Sequence, residues 1–149
     1  MKLILKEQPE ISETEVEIRY AKLDAEVQNL AKRIEQQERY LYGSDNGRQY
    51  RILLADIFYA ESVDRKTFIY TQSDVFRCEL KLYQLLDKID SPDFLQVSKS
   101  CILNLQVLEH IQTLFNSKLE GTLTNGEKIT ITRTYIPKIR AAFSQKERV

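Results

Sequence analysis

The chain has 149 residues, 42% hydrophobic and 30% charged, a balance that fits one soluble globular domain with an appendage and excludes a largely disordered protein. Lys and Arg together number 22, and so do Asp and Glu, so no strong overall charge marks a nucleic-acid or membrane partner. The balance hides an asymmetry: residues 1–46 hold 7 basic and 10 acidic side chains, whereas residues 47–149 hold 15 and 12.

Residues 2–6 read as a short apolar strand, and residues 14–20 as a second, because Val16, Ile18 and Tyr20 alternate with charged neighbours. Asp24 stands where a helix begins, as its N-cap or in its first turn. The helical pattern after it runs from residue 25 to 41, with Val27, Leu30, Ala31 and Ile34 on one face and Leu23 and Leu41 extending the stripe. Such a stripe docks on the chain's own sheet by default, and a dimer contact or partner surface is its other use. Gly43-Ser44-Asp45-Asn46-Gly47 forms the clearest break. The expected division is a strand-strand-helix segment over 1–46, a β domain over 47–143 and a frayed, charged tail over 144–149.

Beyond the break, strands are expected at 48–54, 67–71 and 75–79, with a shorter extended piece at 56–61 and a polar turn at 62–66. Leu82, Leu85, Leu86 and Ile89 fall at helical spacing within 80–89, and Ser91-Pro92-Asp93 stops that helix. The pattern returns to β at 94–98, 107–115, 118–123 and 128–132, with Asn125-Gly126 turning a hairpin before the last of these. A short helix over 135–142 closes the domain, Pro137 suiting its first turn.

Catalysis finds no foothold. The single histidine, His110, has no neighbouring triad partners, and no glycine-rich phosphate loop or HExxH occurs. Cys78 and Cys101 belong to no CxxC, so two reduced, packed thiols are expected, with no metal and no cofactor. Met1-Lys2-Leu3-Ile4-Leu5 is too short for a signal peptide, and no window nears the ~20 apolar residues of a membrane span. The expected location is the cytoplasm.

The positive signal lies in two β segments that share a design. Phe94, Leu95, Val97, Ile102 and Leu103 flank the polar triplet Ser98-Lys99-Ser100, and Ile129 and Ile131 precede Thr132-Arg133-Thr134. A hydroxyl-cation-hydroxyl triplet held by a sheet suits contact with a phosphate backbone and a base edge. The pattern F-x-x-V-x-K-S-x-I-x-N followed by N-G-x-x-I-x-I-x-R-x-Y resembles the LytTR family of bacterial DNA-binding domains. Asp56-Ile57-Phe58-Tyr59-Ala60-Glu61-Ser62 matches the family's early D-I-x-Y-I-E-S segment, and Arg133-Thr134-Tyr135 its late S-R-x-Y element, with Thr132 in place of serine. The resemblance covers residues 47–143.

What the resemblance implies is a mainly β (α+β) fold, an elongated antiparallel arrangement with short helices, and a non-enzymatic transcription regulator. Members bind double-stranded promoter DNA in pairs on direct repeats, placing loops in the major groove. Carried onto this sequence, the DNA-facing residues are Arg65, Lys66 and Thr67 in a first loop, Ser98, Lys99 and Ser100 in a second, and Thr132, Arg133 and Thr134 in a third. Arg133 suits bidentate reading of guanine, Lys99 a base or a phosphate, and the hydroxyls phosphate. Asn104 has a structural part, turning the chain after Ile102 and Leu103. The segment ahead of the domain is too short for a phospho-receiver, so the chain resembles stand-alone LytTR regulators, which often work with a restraining membrane protein. That segment then serves homodimer formation or partner binding, and no small-molecule substrate is expected. The rival reading is a dimerising antagonist, a protein-interaction module that has kept the fold.

Overall fold

The structure, a computed structural model, describes residues 1–36 and 39–147. Residues 1–24 enter neither sheet and no helix. This corrects the strands expected at 2–6 and 14–20, and with them the strand-strand-helix segment. The period-two pattern is real, but a strand also needs a neighbour, and none of the chain's own strands takes that place. Helix α1 spans Ala25–Gln36, with the Val27 amide donating to Asp24 Oδ1 at 3.0 Å, as an N-cap requires. The expected continuation through residues 37 and 38 lies outside the described residues. Leu41 is not on the helix but buried in strand β1, Tyr40–Asp45.

The turn formers at 43–47 make a hairpin rather than a break. β1 pairs residue by residue with β2, Arg48–Leu53, around Asn46-Gly47, both at positive φ (50° and 76°). β3 (Tyr59–Val63), β4 (Lys66–Tyr70) and β5 (Val75–Cys78) follow as a meander, then helix α2 (Leu82–Ile89). β6 (Phe94–Ser98) and β7 (Cys101–Asn104) complete a seven-stranded antiparallel sheet in the order β2-β1-β5-β4-β3-β7-β6. β8 (Leu108–Thr113), β9 (Leu119–Leu123) and β10 (Lys128–Ile131) form a second sheet, and helix α3 spans Ile136–Glu147. The expected tail from residue 144 therefore continues the helix as far as 147, and residues 148 and 149 lie outside the described residues.

Two cores hold these layers. One gathers Leu41, Ile52, Ile69, Leu85, Ile89 and Ile102 between the large sheet and α2. The other gathers Val97, Leu103, Leu119, Leu123, Ile131 and Ile139 between the β6–β7 edge, the small sheet and α3. β7 belongs to both, since successive strand residues point to opposite faces: Ile102 joins the first core, Cys101 and Leu103 the second. A strand covered on both sides shows no alternation, which is why β7 was not expected as a strand. Asn104, buried at its end, donates from Nδ2 to the Ile57 carbonyl at 2.8 Å and accepts from the Gln106 amide at 3.0 Å, the structural part expected of it.

α1 is tied on by charge more than by packing. Arg33 Nε reaches both carboxylate oxygens of Asp93 at 3.1 and 3.0 Å, a pair exposed on the arginine side (40%) and buried on the aspartate side (5%). Just past α1, Arg39 donates to the Lys88 and Ile89 carbonyls at the end of α2, where a cation meets the negative end of the helix dipole. Val27, Leu30 and Ile34 are half-buried, yet they belong to neither core.

Candidate nucleic-acid interface

Three segments distant in sequence meet at one end of the seven-stranded sheet. In the β3–β4 hairpin, Val63 pairs with Lys66, leaving Asp64-Arg65 as a two-residue turn. Both turn residues have positive φ, 50° and 65°, the geometry whose twist matches a tight hairpin. For an arginine that backbone is unfavourable by about 1–2 kcal/mol. Arg65 and Lys66 are exposed. Thr67 is not: it sits 4% exposed, opposite Cys78 on the face shared with Ile69, so its side chain points to the core.

The β6–β7 turn lies beside this hairpin. Ser98 pairs with Cys101, leaving Lys99 and Ser100 exposed at the tip. Ser98 Oγ accepts from the Ser100 amide at 3.3 Å and lies 3.5 Å from Ser100 Oγ, which stiffens the tip. The Ser62 amide donates to the Ser100 carbonyl at 2.8 Å, tying the first tip to the second through main chain alone.

The third segment is tied to the second by main chain and by one side-chain hydroxyl. The register of β6 against β7 shifts between Gln96 and Ser98, so Val97 is an extra residue whose carbonyl is free to turn aside. That carbonyl accepts from the Thr132 amide at 2.9 Å and from Thr132 Oγ1 at 3.4 Å. Arg133 and Thr134, exposed, begin the short 3-10 turn that leads into α3, and the Tyr135 amide donates back to the Thr132 carbonyl at 2.9 Å. Thr132 itself is half-buried because it makes the join.

Eight of the nine residues picked from sequence thus stand at one end of the sheet with some exposure, and Thr67 alone is turned inward. Among the described residues, Arg65, Lys66, Lys99 and Arg133 enter no ion pair, so their charge faces solvent uncompensated. Sequence reading missed the bulge at Val97. Its contribution is a carbonyl, and no side-chain pattern announces that. Lys138, exposed in the first turn of α3, was passed over as well.

Behind the second tip lies Cys101, whose thiol is pushed up to about 12, chiefly by burial and further by the Glu61 carboxylate. Burial also raises Cys78. Both thiols stay protonated at neutral pH and are poor nucleophiles. No helix of the described residues is long and apolar enough to cross a membrane.

Comparison with known proteins bears on the family and the fold. The family model of the LytTr DNA-binding domain matches residues 47–144. The sensory transduction protein LytT of Enterococcus faecalis is 28% identical over 93 residues, 62% of this chain and 38% of that protein. LytR of Streptococcus agalactiae is 28% identical over 85 residues, covering 57% and 35%. The chain therefore spans less than two fifths of these relatives. A solved structure from Bacillus cereus, described as a LytTr DNA-binding domain, superposes with a TM-score of 0.65 at 18% identity, over 71% of this chain and 97% of that one. It shares the fold. With two thirds of its length matched by the family model, the chain belongs to the LytTR family of DNA-binding domains.

Proposed function

We propose that the chain is a cytoplasmic, sequence-specific transcription regulator that binds promoter direct repeats as a homodimer, its three loop tips entering the major groove. The observation that carries this reading is the row of tips joined by main-chain hydrogen bonds and crowned by four cations that pair with no acid among the described residues. In this reading Arg133 reads guanine through a bidentate contact. Arg65, Lys66 and Lys99 meet phosphate or a base acceptor, and Ser98, Ser100, Thr132 and Thr134 set register. Burial removes Thr67 from the contact set. Residues 1–46 serve self-association or a partner, a membrane-bound regulator included, although β1 within that range is also part of the sheet.

The test is binding to a matched set of operator variants at two salt concentrations. Arg133→Ala is expected to cost about 1–3 kcal/mol and to blur preference at one base pair per half-site. Lys99→Ala, if that lysine meets phosphate, is expected to weaken all sequences evenly and flatten the salt dependence by about one unit of slope. An Arg133→Ala chain that binds and discriminates like the parent removes the third tip from the interface. A parent chain that ignores its own upstream promoter in the presence of bulk DNA favours the interaction-module reading, for which the unabsorbed stripe of α1 speaks.

A further inference from the structure

Among the described residues, residues 1–23 make hydrogen bonds only within the segment, and Leu3, Leu5, Val16, Tyr20 and Leu23 are exposed by 82%, 85%, 63%, 52% and 53%. Exposed apolar groups on unpaired backbone call for a partner. Within this arm, Val16, Ile18 and Tyr20 share one parity and Glu15, Glu17 and Arg19 the other, the pattern of a strand with one apolar face. Glu17 and Arg19 already meet at 3.3 Å on that polar side, both largely in solvent.

We infer that residues 14–22 pair antiparallel with the same residues of a second copy of this chain, in a register centred on Ile18. The register follows from charge and parity. Centred there, Glu17 faces Arg19 of the second copy twice over, Val16 faces Tyr20 twice, and Ile18 faces itself. A one-residue slip sets apolar against charged side chains along the whole ribbon. Centring on Glu17 or Arg19 places like charges directly opposite each other, which destabilises a strand pair. A lone two-stranded ribbon is marginal in water, so its apolar face needs cover. The stripe Val27, Leu30 and Ile34 begins a few residues further on and is claimed by neither core. Its helix is held to the β body by Arg33 and Asp93, and the stripe is only half-buried there, so part of it is open to the ribbon.

This inference rests on the homodimer proposed above and supplies its interface, independently of which residues meet DNA. The experiment uses the full chain. Ile18→Cys and Val16→Cys are each exposed to diamide and run on a non-reducing gel, while sedimentation gives the mass of the parent, of Glu17→Arg, and of Glu17→Arg combined with Arg19→Glu. Facing residues of an antiparallel pair lie about 4.5–5.5 Å apart at Cα, within disulfide reach, whereas the two copies of position 16 are four residues out of step. Ile18→Cys is therefore expected to cross-link about tenfold faster than Val16→Cys or more. Cys78 and Cys101, both buried, leave the new thiol as the reactive one. Glu17→Arg is expected to shift the chain to monomer and the double exchange to restore the dimer. Equal cross-linking at 16 and 18, a Glu17→Arg chain that dimerises like the parent, or a parent that is monomeric at every concentration overturns the inference. A monomeric parent that still selects its operator leaves the regulator reading standing, and a dimer that ignores the operator does the reverse.

Discussion

Two hairpin turns of the large sheet share one backbone and differ in what that backbone carries. Asn46-Gly47 joins β1 to β2, and Asp64-Arg65 joins β3 to β4, each a two-residue turn with both φ angles positive. The strand directions put them at opposite ends of the sheet. At the first, asparagine and glycine are the residues the geometry favours. At the second, an arginine holds a conformation better suited to glycine. The chain relaxes the turn between β1 and β2 and tolerates strain at the turn beside the Lys99 tip. Asp90 and Ser117 also hold positive φ, so the strain at Arg65 gains its interest from the exposed cations around it and not from strain alone.

Exchanging the two chemistries breaks or sharpens this contrast. The largest effect is expected from Asp64→Asn combined with Arg65→Gly. The relaxed turn should raise stability by about 1 kcal/mol, a melting shift of roughly 2–4 °C for a chain of this size. Operator binding should weaken, with the salt slope flattened by about one unit for one lost phosphate contact. If the slope in a titration over several salt concentrations stays at the parent value, the first tip does not meet phosphate. The reciprocal change, Gly47→Arg, should cost about 1 kcal/mol in urea denaturation and leave operator affinity as it was. Lost affinity there would mean that the far end of the sheet also faces DNA, and the contrast between the ends would collapse.

A smaller effect concerns the packing behind the tips. The Cys101 thiol is raised from about 9 to about 12, mainly by burial. Below pH 9 the thiol is neutral folded and unfolded, so its burial counts in full. As pH climbs from there towards 12, only the unfolded chain ionises, and stability is lost. Urea midpoints should fall over that window, less steeply in Cys101→Ala. Tyr59 and Tyr70, whose phenols are also raised by burial, add to the fall above pH 10. Equal pH dependence in parent and variant would show that the thiol is not shielded.

Much of this was legible in the sequence, and the failures have physical causes. The strands from β2 to β6 and from β8 to β10 lie within a few residues of where they were expected, whereas β1 was taken for the end of a helix and a break, although it too has one wet face. β7 hid because all four of its residues are buried. Asn46-Gly47 passed for a boundary although Leu41 and Gly43 on one side and Ile52 on the other already carried a hairpin's parity. The same arithmetic would have turned Thr67 inward, since it shares parity with Ile69. At the candidate interface the exposed cations were legible through the family pattern. The joins between tips were not, because they are made by amides and carbonyls that every residue possesses.

Those joins bear on how such a regulator can change over time. The Ser62 amide on the Ser100 carbonyl and the Thr132 amide on the Val97 carbonyl, the latter seconded by Thr132 Oγ1, fix the distances between tips without consulting the side chains at 65, 99 and 133. On the contacts proposed above, random mutation at positions 65, 99 and 133 would redraw the recognised sequence while the ruler between the contacts stays the same length. A gene duplicate would then drift to a new promoter by small independent steps, each testing one contact, and need not reinvent the scaffold.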